Sequence, residues 1–173
     1  TGYYINTTTE HWRTALELLA DWMFHSTITP EEFEREKGVV QREIEQDLDN
    51  PDQMLAQTAM ATRFQVHPMR YPVIGYKELV QKVSRDDLLT YYQRMYTPNN
   101  LLLVVVGDVQ SAVALAHIRA TFGTGQRRPL PAISLPEEPV QIGKRTMVKE
   151  MAVSQASMSL SFPTVTLTHP HLY

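Results

Sequence analysis

The stretch from Thr29 to Asn50, TPEEFEREKGVVQREIEQDLDN, constrains the chain more than any other. It reads as one long helix dense in carboxylates. Pro30 follows a threonine able to cap a helix, and Glu32, three residues past Thr29, completes a capping box. Asn50-Pro51 closes the helix, because a residue before proline is pushed out of the helical region. Phe33, Val40, Ile44 and Leu48 recur at helical spacing and form an apolar stripe. Glu36 and Glu43 stand seven apart, with Val40 four after the first and three before the second. Both acids therefore fall at the edge of the stripe. A carboxylate so placed needs a partner, a proton or a metal, since a bare buried charge is costly. A solvated acidic face with ordinary ion pairs is the blander reading, and spacing alone leaves both open.

Composition narrows the classes. At 173 residues the chain has room for one large domain, or one domain and part of another. A hydrophobic content of 43% suffices for a core. The net charge of −3 carries no basic excess, which argues against nucleic acid and anionic membranes as partners. The absence of cysteine removes disulfides, thiolate ligands and cysteine nucleophiles. No apolar run approaches the roughly 18–20 residues of a membrane span. Starting at Thr1 and ending at Tyr173 with no closing element, the chain reads as a fragment.

In order along the chain, Gly2–Thr7 has strand composition, and Thr7 with Glu10 is placed to cap a helix reaching about His25. After the acidic helix, Asn50, Pro51 and Gln53 open a third helix to about Val66. His67-Pro68 to Gly75 is a loop. A short helical piece, Tyr76–Val83, precedes a helix capped by Ser84 that ends near Tyr96. Leu101–Val106, LLLVVV, predicts a strand buried on both faces. Gly107-Asp108 turns the chain into a last helix, about Ser111–Phe122. Residues 124–145, with Pro129, Pro131, Pro136 and Pro139, read as an extended linker. Thr146–Phe162 reads as a further strand.

Few constellations carry chemistry. A serine nucleophile elbow and a phosphate-cradling glycine loop are both missing. His169-Pro170-His171 and His67-Pro68 read more simply as loop than as metal ligands. Tyr91, Tyr92 and Tyr96 fall at helical spacing, most simply as core or half-core.

Several strings, spread in order over nearly the whole chain, resemble the pitrilysin/insulinase family of zinc metallopeptidases, which includes mitochondrial processing peptidase and related bacterial peptidases. They are Leu19-Ala-Asp-Trp-Met-Phe-His-Ser, Phe33-Glu-Arg-Glu-Lys-Gly-Val-Val-Gln-Arg-Glu-Ile, Asp49-Asn-Pro-Asp, His67-Pro-Met-Arg-Tyr-Pro-Val-Ile-Gly, Tyr96-Thr-Pro-Asn-Asn-Leu and the apolar run ending in Gly107-Asp108. In that family an inverted His-x-x-Glu-His helix and a distal glutamate hold the metal, and zinc-activated water hydrolyses the peptide bond. The resemblance places the distal zinc ligand on Glu43. It places on Glu36 the glutamate that supports the site from outside the coordination sphere. The His-x-x-Glu-His string itself is absent, so the resemblance implies one zinc ligand and no general base within these residues, and a chain inactive by itself.

The fold implied is α+β, helices packed on one face of a mainly antiparallel sheet, an incomplete half-domain of the processing-peptidase type. Residues 1–123 would be the later part of an N-terminal peptidase-type domain, 124–145 the linker, and 146–173 the opening strand of a second, homologous domain. The implied cofactor of the full-length protein is Zn2+. The implied partners are a peptide or protein substrate, bound as an added strand, and a homo- or hetero-dimer mate. The bacterial periplasm or cytoplasm is the implied compartment. A non-catalytic scaffold or partner subunit of the same family is the alternative.

Overall fold

A computed structural model of the chain describes residues 1–166 and 168–171. Its helices are α1 (Trp12–Phe24), α2 (Pro30–Asp49), α3 (Pro51–Arg63), α4 (Lys77–Lys82), α5 (Arg85–Met95) and α6 (Ser111–Thr121). Single 3-10 turns occupy Pro68–Arg70, Pro98–Asn100 and Phe122–Thr124. The chain forms two compact units, one of Thr1–Glu34 with Val83–Ala132, the other of Arg35–Lys82 with Ile133–Tyr173. No helix among the described residues is long and apolar enough to cross a membrane.

In the first unit the core is built where α1 meets α6. Leu16, Ala20 and Met23 bury the inner face of α1, and Ala114 is buried on α6. The Trp12 and His117 rings meet edge to face at 5.5 Å, and Phe24 meets Phe122 at 6.0 Å. His117 Nε2 also lies 3.2 Å from Glu17 Oε1, so a polar contact closes the same seam. The entry to α1 differs from the capping expected of Thr7. His11 is the cap residue and makes no side-chain bond, while its N–H is held by the Thr8 carbonyl. The entry to α5 carries a full capping box. Ser84 Oγ accepts from the Asp87 N–H, and the Asp87 carboxylate accepts from the Ser84 N–H and hydroxyl, which lower its pKa. Gly125 allows a close approach, since a Cβ there would stand 2.6 Å from Pro98 Cγ and 2.9 Å from Phe24 Cζ.

The second unit holds most of α2, with α3 and α4. Asn50 caps α3 through its side chain, accepting from the Asp52 and Gln53 amides, with Pro51 in the first helical position. This helix stops at Arg63, short of the Val66 expected from its pattern. Among the described residues here, Ile44 of α2 and Met54 of α3 are the buried apolar side chains.

The expected antiparallel sheet is not present. Among the described residues there is no strand, and Gly2–Thr7, Leu101–Val106 and Thr146–Phe162 join no ladder. The α+β class expected from the resemblance is thereby corrected to a helical one for this chain. The reason is non-local. A strand's N–H and C=O groups are satisfied by a neighbouring strand, and no described segment pairs with these three as a ladder partner. Leu101–Val106 is also not buried on two faces. Leu102, Val104 and Val106 are 91%, 69% and 91% exposed, while Leu101, Leu103 and Val105 are half-buried. The alternation shows an extended backbone with one covered side.

Candidate metal centre

Helix α2 carries both acids singled out by sequence. Thr29 fixes its start, its Oγ1 accepting from the Glu32 N–H at 3.3 Å and donating to Glu32 Oε2 at 3.2 Å, with the Phe33 N–H on the Thr29 carbonyl. Two buried side chains on α2, Phe33 and Ile44, hold it to its surroundings. The stripe is shorter than its pattern suggests, for Val40 is only half-buried and Leu48 is 47% exposed.

Glu36 and Glu43 are accordingly both exposed. Glu36 Oε1 accepts from Arg35 Nε at 3.1 Å, a pair well open to water. Glu43 immediately precedes the buried Ile44, so its backbone is anchored while its carboxylate is presented outward. Seven residues of helix separate the two acids by about 10 Å along the axis. Nearby, Lys77 of α4 donates to Glu45; this hydrogen bond lowers the Glu45 pKa and raises that of Lys77.

A catalytic zinc takes three protein ligands and leaves one position open. Among the described residues no group of three or more His, Asp or Glu side chains comes together to hold a metal. The described residues therefore do not by themselves assemble a whole centre of that kind. The histidines called loop elements have local duties. His67 Nδ1 accepts from the Met69 N–H, and His169 Nδ1 accepts from the His171 N–H, each at 3.2 Å.

Sequence reading missed two features. The first unit contains a cavity of about 320 Å3 lined by Phe24, His25, Tyr92, Tyr96 and Arg128 among others. Arg128 on its wall is engaged with the Gln93 carbonyl at 2.5 Å, and His25 with Asp21 at 3.2 Å. The Tyr96 hydroxyl meets that of Tyr3 at 2.5 Å, and burial followed by this bond pushes the Tyr96 phenol above its ordinary range. Of the three tyrosines expected as core or half-core, Tyr92 and Tyr96 are half-buried and Tyr91 is exposed. The second feature is Glu138, whose carboxylate is bound by the chain's own amides; one of two adjacent acids in a proline-rich stretch gives no sequence signal for that.

Comparison with known proteins adds a frame for α2. Residues 1–77 match the family model described as insulinase (peptidase family M16), and residues 82–173 match that described as the peptidase M16 inactive domain. YmxG of Bacillus subtilis, an uncharacterized zinc protease, is 30% identical over 173 residues, which is 100% of this chain and 41% of that protein. The mitochondrial-processing peptidase subunit beta of Caenorhabditis elegans is 27% identical over 123 residues, 71% of this chain and 27% of that one. The crystal structure of a protease from Helicobacter pylori superposes with a TM-score of 0.74 at 28% identity, covering 80% of this chain and 34% of that chain. The chain spans well under half the length of each of these relatives.

Proposed function

The chain belongs to the insulinase family of peptidases, family M16, and from that membership we propose that the whole protein is a zinc-dependent metalloendopeptidase in which Glu43 binds the metal and Glu36 supports it from outside the coordination sphere. One observation carries the reading: both acids lie within residues 1–77, the part matching the insulinase model, and not within 82–173, the part matching the inactive domain. The zinc protease names of the relatives support the cofactor.

Bound zinc supplies Lewis-acid activation of water toward a scissile peptide carbonyl. The residues of this chain hold and orient. The buried Ile44 anchors the turn of α2 beside Glu43, so Glu43 is offered from a helix and not from a loop. The Lys77–Glu45 pair neutralises the acid two residues along from Glu43. The general base and the remaining ligands come from residues other than those described, and the 173-residue chain by itself neither holds catalytic zinc nor cleaves peptides. The substrate is a peptide or protein.

A second reading is a non-catalytic partner subunit of the same family. Metal content separates the two. In the enzyme reading the full-length protein purifies with about one zinc per chain. Glu43→Gln then loses that zinc, and Glu34→Gln on the same helix keeps it. Glu36→Gln weakens zinc binding by about 10–100-fold. Full-length protein with no bound zinc, or a Glu43→Gln variant that retains it, refutes the assignment.

A further inference from the structure

Beyond α3 the backbone does something helix geometry does not ask of it. The N–H groups of Gln65, Val66 and His67 all point at one carboxylate, Glu138, at 2.5, 3.0 and 2.9 Å. Glu138 lies more than 70 residues further along the chain, within the stretch whose prolines read as a linker. Three successive amides converging on one anion form a concave main-chain anion site.

Arg145 also reaches the site. One of its guanidinium nitrogens, Nη1, lies 3.8 Å from Glu138 Oε1 and donates at 2.8 Å to the carbonyl of Arg63, the last residue of α3. It thus satisfies a carbonyl that the helix end leaves without a partner. Side-chain exposure is only 21% for Arg145 and 23% for Glu138, so neither is a freely solvated surface charge. The loop is braced locally as well. Arg70 donates to the Gln65 carbonyl, His67 Nδ1 accepts from the Met69 N–H, and the Arg63 guanidinium lies 5.1 Å from the Phe64 ring centroid.

We propose that the amides of residues 65–67, together with Arg145, form a carboxylate-binding site that the chain fills from within, Glu138 latching the segment around residues 138–145 onto the end of α3. Several features agree. The latch accounts for α3 stopping at Arg63 when its apolar pattern runs on, because the next amides are directed to Glu138 and not to carbonyls one turn back. It gives three successive N–H groups an acceptor where no strand offers one. Each bond is charge-assisted, the stronger class. Partial burial pushes the Glu138 carboxyl up, but the three amides and Arg145 outweigh it and hold the group at about 2. The same segment exposes Val140 and Ile142 almost fully, so apolar packing at those residues is not what fastens it.

Amide hydrogen exchange on the full chain tests the latch. In the unaltered chain the amides of 65–67 are protected about tenfold or more over an unstructured peptide, as hydrogen-bonded amides in a closed site are. Glu138→Gln, which keeps the shape and removes the charge, accelerates their exchange by about tenfold or more. The neighbouring Glu137→Gln leaves it unchanged, and amides inside α1 and α5 stay protected in both variants. Random-coil exchange at 65–67 in the unaltered chain overturns the proposal whether or not the variants fold. Equal exchange in folded Glu138→Gln and Glu137→Gln overturns it equally.

Discussion

Arg85, half-buried on α5, donates Nε at 2.5 Å to the carbonyl of Ile28, and Ile28 holds a φ of 46°. A β-branched residue in the left-handed region is strained, at a cost on the order of 1–3 kcal/mol, and persists only where its surroundings fix it. Here they do. Arg85 Nη2 also donates to the Thr27 carbonyl, and the Tyr92 hydroxyl accepts from the Ser26 N–H and donates to the Trp22 carbonyl. The turn joining α1 to the capped start of α2 is thus clamped by two side chains from α5. Arg85→Ala should destabilise the chain by about 1.5–3 kcal/mol, the range for hydrogen bonds to a charged donor. In an Ile28→Gly background, where the strain is gone, the same substitution should cost clearly less. Urea denaturation of the four proteins measures the coupling. Additivity within about 0.3 kcal/mol would show that the clamp does not oppose the strain.

What could be foreseen from sequence was local chemistry. Thr29-Pro30, Asn50-Pro51 and Ser84 with Asp87 mark helix starts because the cap and the orphan amides lie within three residues of each other. What could not be foreseen depends on distant partners. LLLVVV has every local mark of a strand, yet strand identity needs a second segment, and none of the described residues supplies it. Tyr3 with Tyr96, Arg85 with Ile28 and Glu138 with residues 65–67 join positions 57 to 93 residues apart, with no periodicity to announce them. The candidate site falls between these cases. Helical spacing set Glu36 and Glu43 near the apolar stripe, but the stripe's incomplete burial at Val40 and Leu48 leaves both acids in solvent. Their assignment to a metal came from likeness to a family, and the exposed helix edge only leaves room for it.

Acid should loosen the second unit before the helices themselves fail. Glu138 sits at about 2 in the folded chain against an ordinary 4.5, so its folded value is depressed. A depressed carboxyl contributes stability that is complete above the unfolded value and lost as pH falls through the folded one. The window is therefore from about 4.5 down to about 2. Glu45, lowered by Lys77, and Asp87, lowered by Ser84, change in the same direction over acid pH. Lys77, raised by Glu45, contributes below its ordinary 10.5 and loses that contribution only in strong alkali. Denaturation midpoints of the unaltered chain and Glu138→Gln should differ at pH 6 and converge toward pH 2.5. A difference independent of pH would show that the lost charge is not the cause.

Adjacent positions on α2 should separate architecture from chemistry. Ile44 is 5% exposed and Glu43 is exposed, although they are neighbours in sequence. Truncating a buried isoleucine removes its transfer energy and leaves a cavity, about 2–5 kcal/mol for Ile44→Ala. Removing the charge of an exposed acid with no burial to lose changes stability by no more than about 0.5 kcal/mol, so Glu43→Gln should leave the thermal midpoint of the 173-residue chain almost unmoved. In the full-length protein the ranking by zinc content should reverse. Glu43→Gln, fully folded, loses the metal, while Ile44→Ala keeps it at temperatures where the fold survives. A Glu43→Gln chain that melts as early as Ile44→Ala would make Glu43 a structural residue, and any zinc it then lost would follow from unfolding and not from a missing ligand.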